Sequence, residues 1–130
     1  MMRSPFLVLQ KAIRDRIVSE TGREVHDDFP ENVSMPYIIA GELDARDWSD
    51  KFQPGQEVAA TIHIWCSYPG KKEAAQIMDE VLQALTSSEL SLDTDFRAVY
   101  SGLDMAEIII DIDGITRHGI LKFRFLIEEV

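Results

Sequence analysis

The chain has 130 residues, a hydrophobic content of 45% and a formal charge of −10. These values predict one globular domain spanning residues 1–130 and argue against a generic binder of nucleic acid or of anionic membrane surfaces, since both need clustered cations. A single cysteine, Cys66, excludes an intrachain disulfide, and no apolar run approaches the roughly 18 residues of a membrane-spanning helix.

The first predicted element is a helix over residues 5–20. Ser4 is a candidate N-cap and Pro5 suits the first helical position. Phe6, Leu9, Ile13 and Ile17 then recur at helical spacing, and Gly22 is a candidate terminator. Phe6–Leu9 is too short for a signal-peptide core. Residues Arg23–Ser34 read as an irregular connector with a short extended piece around Val25. The run Pro36–Leu43 reads as a strand, with Pro36 at its start where a missing N–H is tolerated. Arg46–Gln56 is polar, contains Pro54-Gly55 and reads as a loop.

Glu57–Ser67 is the next strand. Val58, Ala60, Ile62, Ile64 and Cys66 alternate with Ala59, Thr61, His63 and Trp65. Both sets are partly apolar, which predicts a central strand covered on both sides. After the turn Tyr68-Pro69-Gly70, the run Lys71–Leu85 carries Ala74, Ile77, Met78, Val81, Leu82 and Leu85 on one helical face. A strand broken near Gly102 is expected over about 96–112, a turn at Asp113-Gly114, and a closing strand over about 115–128. In that last strand Leu121, Phe123, Phe125 and Ile127 face one way and Lys122, Arg124 and Glu128 the other. The order α-β-β-α-β-β predicts an α+β fold: a two-layer arrangement of an antiparallel sheet with two packed helices on one face.

Charge is unevenly distributed. Residues 1–23 hold five bases against two acids, residues 24–113 five against nineteen, and residues 114–130 three against two. An acidic body with weakly basic ends fits solvated surface, and it also fits head-to-tail contacts between copies.

Few residues invite catalytic readings, and the simpler reading is favoured for each. His26-Asp27-Asp28 has the residue types of a metal site but not a ligand spacing, and acids beside Pro30 more often bond their own turn. His63 has no orienting partner legible in the sequence. Cys66 has no local cation to favour its thiolate and reads as a small buried hydrophobe. Asp111 and Asp113, near Glu107, could form an acid–base pair, but Asp113-Gly114 is already explained as a turn dipeptide. No catalytic, cofactor or metal residues are assigned. The loop residues Trp48, Asp50 and Phe52 are interface candidates, because aromatics in a polar loop often anchor a partner. The alternative to any assembly role in a larger particle is a stand-alone protein-binding adaptor that uses this 46–56 loop.

Several stretches together resemble the tail-completion, or tail-terminator, proteins of long-tailed phages, prophages and gene transfer agents. They are Leu9–Ile13, His26–Pro30 before Met35–Ile38, Ile62–Ser67 before Gly70–Ala74, and Asp113-Gly114-Ile115-Thr116-Arg117-His118-Gly119 leading into Leu121–Phe125. The resemblance implies a structural protein with no enzymatic activity and no cofactor. It implies a homo-oligomeric ring, usually a hexamer, that caps the tail tube and joins it to the head connector, or stopper. The implied partners are a second copy of the chain, the major tail tube protein and the connector, with DNA passing through the lumen and no membrane involved. The implied location is the tail of a virion or phage-like particle, assembled in the host cytoplasm. Arg117, Lys122 and Arg124 join the loop residues as candidate interface positions, with Lys122 and Arg124 facing an acidic neighbour.

Overall fold

A computed structural model of the chain describes residues 2–130. The elements are α1 (Phe6–Thr21), β1 (Val25–His26), β2 (Tyr37–Asp47), β3 (Gly55–Cys66), α2 (Lys72–Thr86), β4 (Phe96–Ile110) and β5 (Arg117–Glu129). They form the expected α+β arrangement, with one five-stranded sheet in the order β1-β2-β3-β5-β4.

Both helices lie on one sheet face. Leu9, Ile13 and Ile17 of α1 and Ala74, Ile77, Val81 and Leu85 of α2 share one core with Val58, Ala60, Ile62 and Ile64 of β3 and Leu121, Phe123, Phe125 and Ile127 of β5. The alternation read in β3 and β5 decides which side chains reach this core. Phe123 and Phe125 are fully buried with ring centroids 6.2 Å apart. Burying each contributes about 1.5–3 kcal/mol.

The helix ends show local chemistry at work. Pro5 is the N-cap of α1 rather than its first helical residue. Ser4 still serves the helix start, its Oγ accepting the Phe6 N–H at 3.3 Å. Gly22 ends α1 in the left-handed region at φ 72°, where a β-carbon would be strained, and donates its N–H to Val18. The C-terminus of α2 is closed from outside the helix. Arg16 of α1 donates to the carbonyls of Ala84 (3.1 Å), Ser88 (3.3 Å) and Glu89 (2.9 Å).

Three expectations are corrected. The element order is α-β-β-β-α-β-β. The extended piece at Val25 is a strand that pairs in parallel with β2, so the sheet is mixed rather than purely antiparallel. The polar residues Asp44–Asp47, read partly as loop, belong to β2, because cross-strand pairing with Gln56–Ala59 outweighs their weak β propensity. β3 is central, as expected, but the helices cover only one of its faces. Its other side chains are half-buried without a helix over them. The break expected near Gly102 is present as two register shifts in β4, between Ala98 and Tyr100 and between Leu103 and Met105.

Candidate assembly surface

The uncovered sheet face carries two clusters. The first is a ladder of rings. Phe29, from the β1–β2 connector, packs on Trp65 at a centroid distance of 5.6 Å. Trp65 stacks on His118 at 3.8 Å, and the His118 and His63 ring centroids lie 5.0 Å apart. Strand pairing produces this order, because Trp65 of β3 lies opposite His118 of β5. His63 Nδ1 is 2.8 Å from His118 Nε2, and His63 Nε2 is 2.8 Å from Glu42 Oε1. Glu42 sits at the register shift between Ala40 and Leu43, which aims its side chain at His63. Its carboxyl lies below the usual range, mainly through the bond from His63. Burial and then the neighbouring His63 hold the His118 imidazole below the ordinary histidine value.

The second cluster is charged. Asp44 and Arg46 of β2, Glu57 of β3, Lys122 and Arg124 of β5 and Asp104 of β4 line one shallow groove across the strands. Arg124 bonds Glu57 at 2.7 Å and lies 5.7 Å over the Tyr100 ring. Glu57 is the main reason the Arg124 guanidinium is raised above its ordinary value. Among the described residues Lys122 forms no ion pair.

Beyond the groove, β4 and β5 run on as a long hairpin. Its turn is built as the dipeptide predicts. Gly114 has φ 71°, and Asp113 accepts from the N–H groups of Ile115 and Thr116 at 2.8 Å and from the Thr116 hydroxyl at 2.6 Å. The Thr116 bond is the largest cause of an Asp113 carboxyl held below its usual value. The hairpin end is apolar yet open to solvent, with Met105, Ile109, Ile110, Ile112 and Ile115 all exposed and Ile112 completely so. Clustered apolar exposure of this kind makes the hairpin end a candidate contact surface.

The sequence-derived interface candidates do not form one site. Lys122 and Arg124 share the groove. Arg117 lies at the start of β5, where its Nη1 donates to the Ile115 carbonyl at 2.6 Å and its buried Nε has no partner. Trp48, Asp50 and Phe52 lie in the β2–β3 loop. Trp48 folds back on Gly55, donating its N–H to the Gly55 carbonyl at 2.8 Å. Asp50 ties the loop by accepting the Phe52 and Gln53 N–H groups at 2.8 and 2.7 Å. Only Phe52, 88% exposed, projects freely. Missed in the sequence were the ring ladder and the apolar hairpin end. The isoleucine run at 108–110 with Ile112 and Ile115 was the available signal for the latter.

The carboxylate readings gain no geometry. Asp113 is occupied by its turn, and His63 lies on the open face beside Glu42. Asp28 bonds the Phe29 N–H and Asp27 accepts from Gln10. Among the described residues no cluster of three or more His, Cys, Asp or Glu side chains is placed to hold a metal ion, and no helix is long and apolar enough to cross a membrane. His63 does have the orienting partner that the sequence did not reveal. Cys66 is fully buried, and burial, with Glu73 nearby, pushes its thiol up to about 12. The basic N-terminal end is largely satisfied within the chain. Arg3 bridges Asp95 at 3.0 Å and Glu129 at 2.9 Å, and Arg23 bridges Glu80 at 3.0 Å.

An α+β domain with one sheet face and an apolar hairpin end left uncovered by its own helices fits the class of assembly subunits. Comparison with known proteins specifies which. The family described as tail completion protein gp17 matches residues 9–128, and the chain belongs to it. The tail completion protein gp17 of Bacillus phage SPP1 is 32% identical over 125 residues, covering 92% of both chains. A solved structure of bacteriophage SPP1 gp17 superposes with a TM-score of 0.58 at 26% identity, covering 92% of this chain and 88% of that one. A chain in the virion of a native gene transfer agent particle shares the fold more fully. Its TM-score is 0.84 at 23% identity, with 98% of this chain and 99% of that chain covered. The protein is thus a structural tail protein of phage-type particles, located in the virion tail.

Proposed function

We propose that this tail completion protein acts as a homo-oligomeric ring, six subunits in number, that caps the tail tube and joins it to the head connector. The observation that carries the reading is the uncovered apolar hairpin end beside an uncovered sheet face in a chain of this family. A heterologous contact repeated around an axis closes into a ring, so hairpin and groove can both be buried without a second kind of subunit. Lys122, without an ion pair of its own, meets an acidic surface of the neighbouring copy. Arg124 is already paired with Glu57 and contributes less. Phe52 at the loop tip makes the contact with tube or connector. The chain's net charge of −10 gives the ring a net acidic character. An acidic lumen lets DNA pass without adhering, because it offers phosphates no counterions to replace.

The test is native mass measurement with negative-stain microscopy on the purified protein, alone and with tail tubes. Six copies of the 14.8 kDa chain form a ring of about 89 kDa. A protein that stays monomeric both alone and on tube ends refutes the ring. In a particle-producing strain, deletion of the gene is expected to yield heads without joined tails, and normal particles from the deletion would refute the joining role.

A further inference from the structure

The pair His63–His118 is not explained by tail completion. Two imidazoles are rarely left 2.8 Å apart nitrogen to nitrogen, because such a bond needs one ring to donate and the other to accept. The surroundings settle the roles. The Glu42 carboxylate accepts only, so His63 Nε2 carries a proton. In the neutral state His63 Nδ1 is therefore bare and accepts from His118 Nε2–H. One added proton is accommodated with every bond kept. It can sit on the free His118 Nδ1, or on His63 Nδ1 with His118 accepting instead. A second proton is not accommodated, for then N–H points at N–H and two cations stand with ring centroids 5.0 Å apart.

We propose that Glu42, His63, His118 and Trp65 form a proton-operated clasp on the open sheet face, closed while the histidine pair holds at most one proton and opened by the second. Three acids act on the pair, and Lys122 lies one register step along the same face. β2 supplies Glu42, β4 supplies Glu107, the residue just after β4 supplies Asp111, and Arg117 beside His118 is turned to the Ile115 carbonyl. The connector sets the uncharged Phe29 ring against Trp65. The helices pack on the opposite face. The three acids hold the first proton, and none can remove the conflict that the second creates. At this separation and an effective dielectric near 20, the second proton binds roughly a hundredfold more weakly than the first. Opening breaks the His63–His118 bond and unstacks His118 from Trp65. This inference rests on the open face being buried between subunits, since a doubly charged pair there would have to be stripped of water on assembly. Acid then loosens the ring.

The experiment follows the imidazole nitrogens of 15N-labelled protein by NMR across the acid range, in the wild type, His118→Gln and His63→Gln. The wild-type pair is expected to take its second proton about two pH units below the midpoint of His63 in His118→Gln, which is the hundredfold coupling. Trp65 fluorescence, read in a Trp48→Phe background, changes with that second step. Gly41→Ala keeps both histidines but puts a β-carbon 2.6 Å from His63 Cδ2 and 2.7 Å from its Nε2. It is expected to displace the ring from Glu42 and reduce the coupling. His63 midpoints that agree with and without His118, or a second step that leaves Trp65 unchanged, overturn the clasp. These readouts do not require a ring, so failure of the clasp and failure of the ring are distinguishable. In the assembled protein, ring dissociation on acidification is expected in wild type and reduced in the His63→Gln, His118→Gln double variant. Equal acid sensitivity in both overturns the link to assembly.

Discussion

Replacing Arg16 tests how the two helices are joined. The last carbonyls of a helix have no partner within it. α2 ends at Thr86 with no basic residue in its last turn. Arg16, half-buried on α1, donates to the Ala84 carbonyl in the last turn and to those of Ser88 and Glu89 just beyond the helix. A hydrogen bond from a charged donor contributes about 1.5–3 kcal/mol when well shielded, and an exposed one much less. Two of the three are exposed, so the sum is set near the value of one shielded bond. The helix dipole adds a fraction of a kcal/mol. Arg16→Ala is therefore expected to cost about 2 kcal/mol. At about 2.1 cal/mol/K per residue, a chain of this length loses about 7 °C in Tm. The assay is thermal and urea unfolding at one fixed protein concentration, with Arg14→Ala as the control, an exposed arginine of the same helix. Arg16→Lys restores one donor of the fork and is expected to fall between the two. A loss for Arg16→Ala no larger than for Arg14→Ala would refute the capping argument.

Charge reversal separates assembly from folding in the groove. Lys122→Glu is expected to weaken self-association about tenfold in a salt-dependent way while leaving subunit stability nearly unchanged. Arg124→Glu is expected to lower subunit stability as well, since it sets a second carboxylate against Glu57. Sedimentation and urea unfolding read the two effects, and equal behaviour of the variants would contradict the assignment. In the hairpin turn, Asp113→Ala removes three bonds. The folded-state value of Asp113 is depressed below 3.8, so its contribution is full above pH 3.8 and is lost as pH falls through the folded value. Unfolding of wild type and variant should differ above pH 3.8, and the gap should shrink as pH falls through the folded value. A gap that stays constant in acid would show that the carboxylate is not the source.

The helices and the strand alternation were legible because they are local. Ala74, Ile77, Val81 and Leu85 declare a buried face whatever they pack against, and Leu121, Phe123, Phe125 and Ile127 do the same at a period of two. Asp113-Gly114 was legible because a turn at positive φ restricts its residues. The two-residue β1 was too short to carry a periodic signal, and its parallel pairing with β2 depends on chain path. His63 looked isolated because its partners are 21 and 55 residues away. Asp50 looked like an interface residue, yet its carboxylate ties its own loop. The basic N-terminal end looked free for intermolecular contact, yet Arg3, Arg16 and Arg23 find acids and carbonyls within the chain.

By itself the sequence determined the α+β class, the limits of the main elements to within a few residues, the closing hairpin and the tail-completion resemblance. Each depends on neighbours within a few positions or on the linear order of motifs. Only the tertiary structure decided that both helices lie on one sheet face, that the other face carries a linked pair of histidines, and that the hairpin end is left bare. Those features arise where strands distant in sequence come into register, and side-chain burial and pairing follow from that register rather than from local spacing.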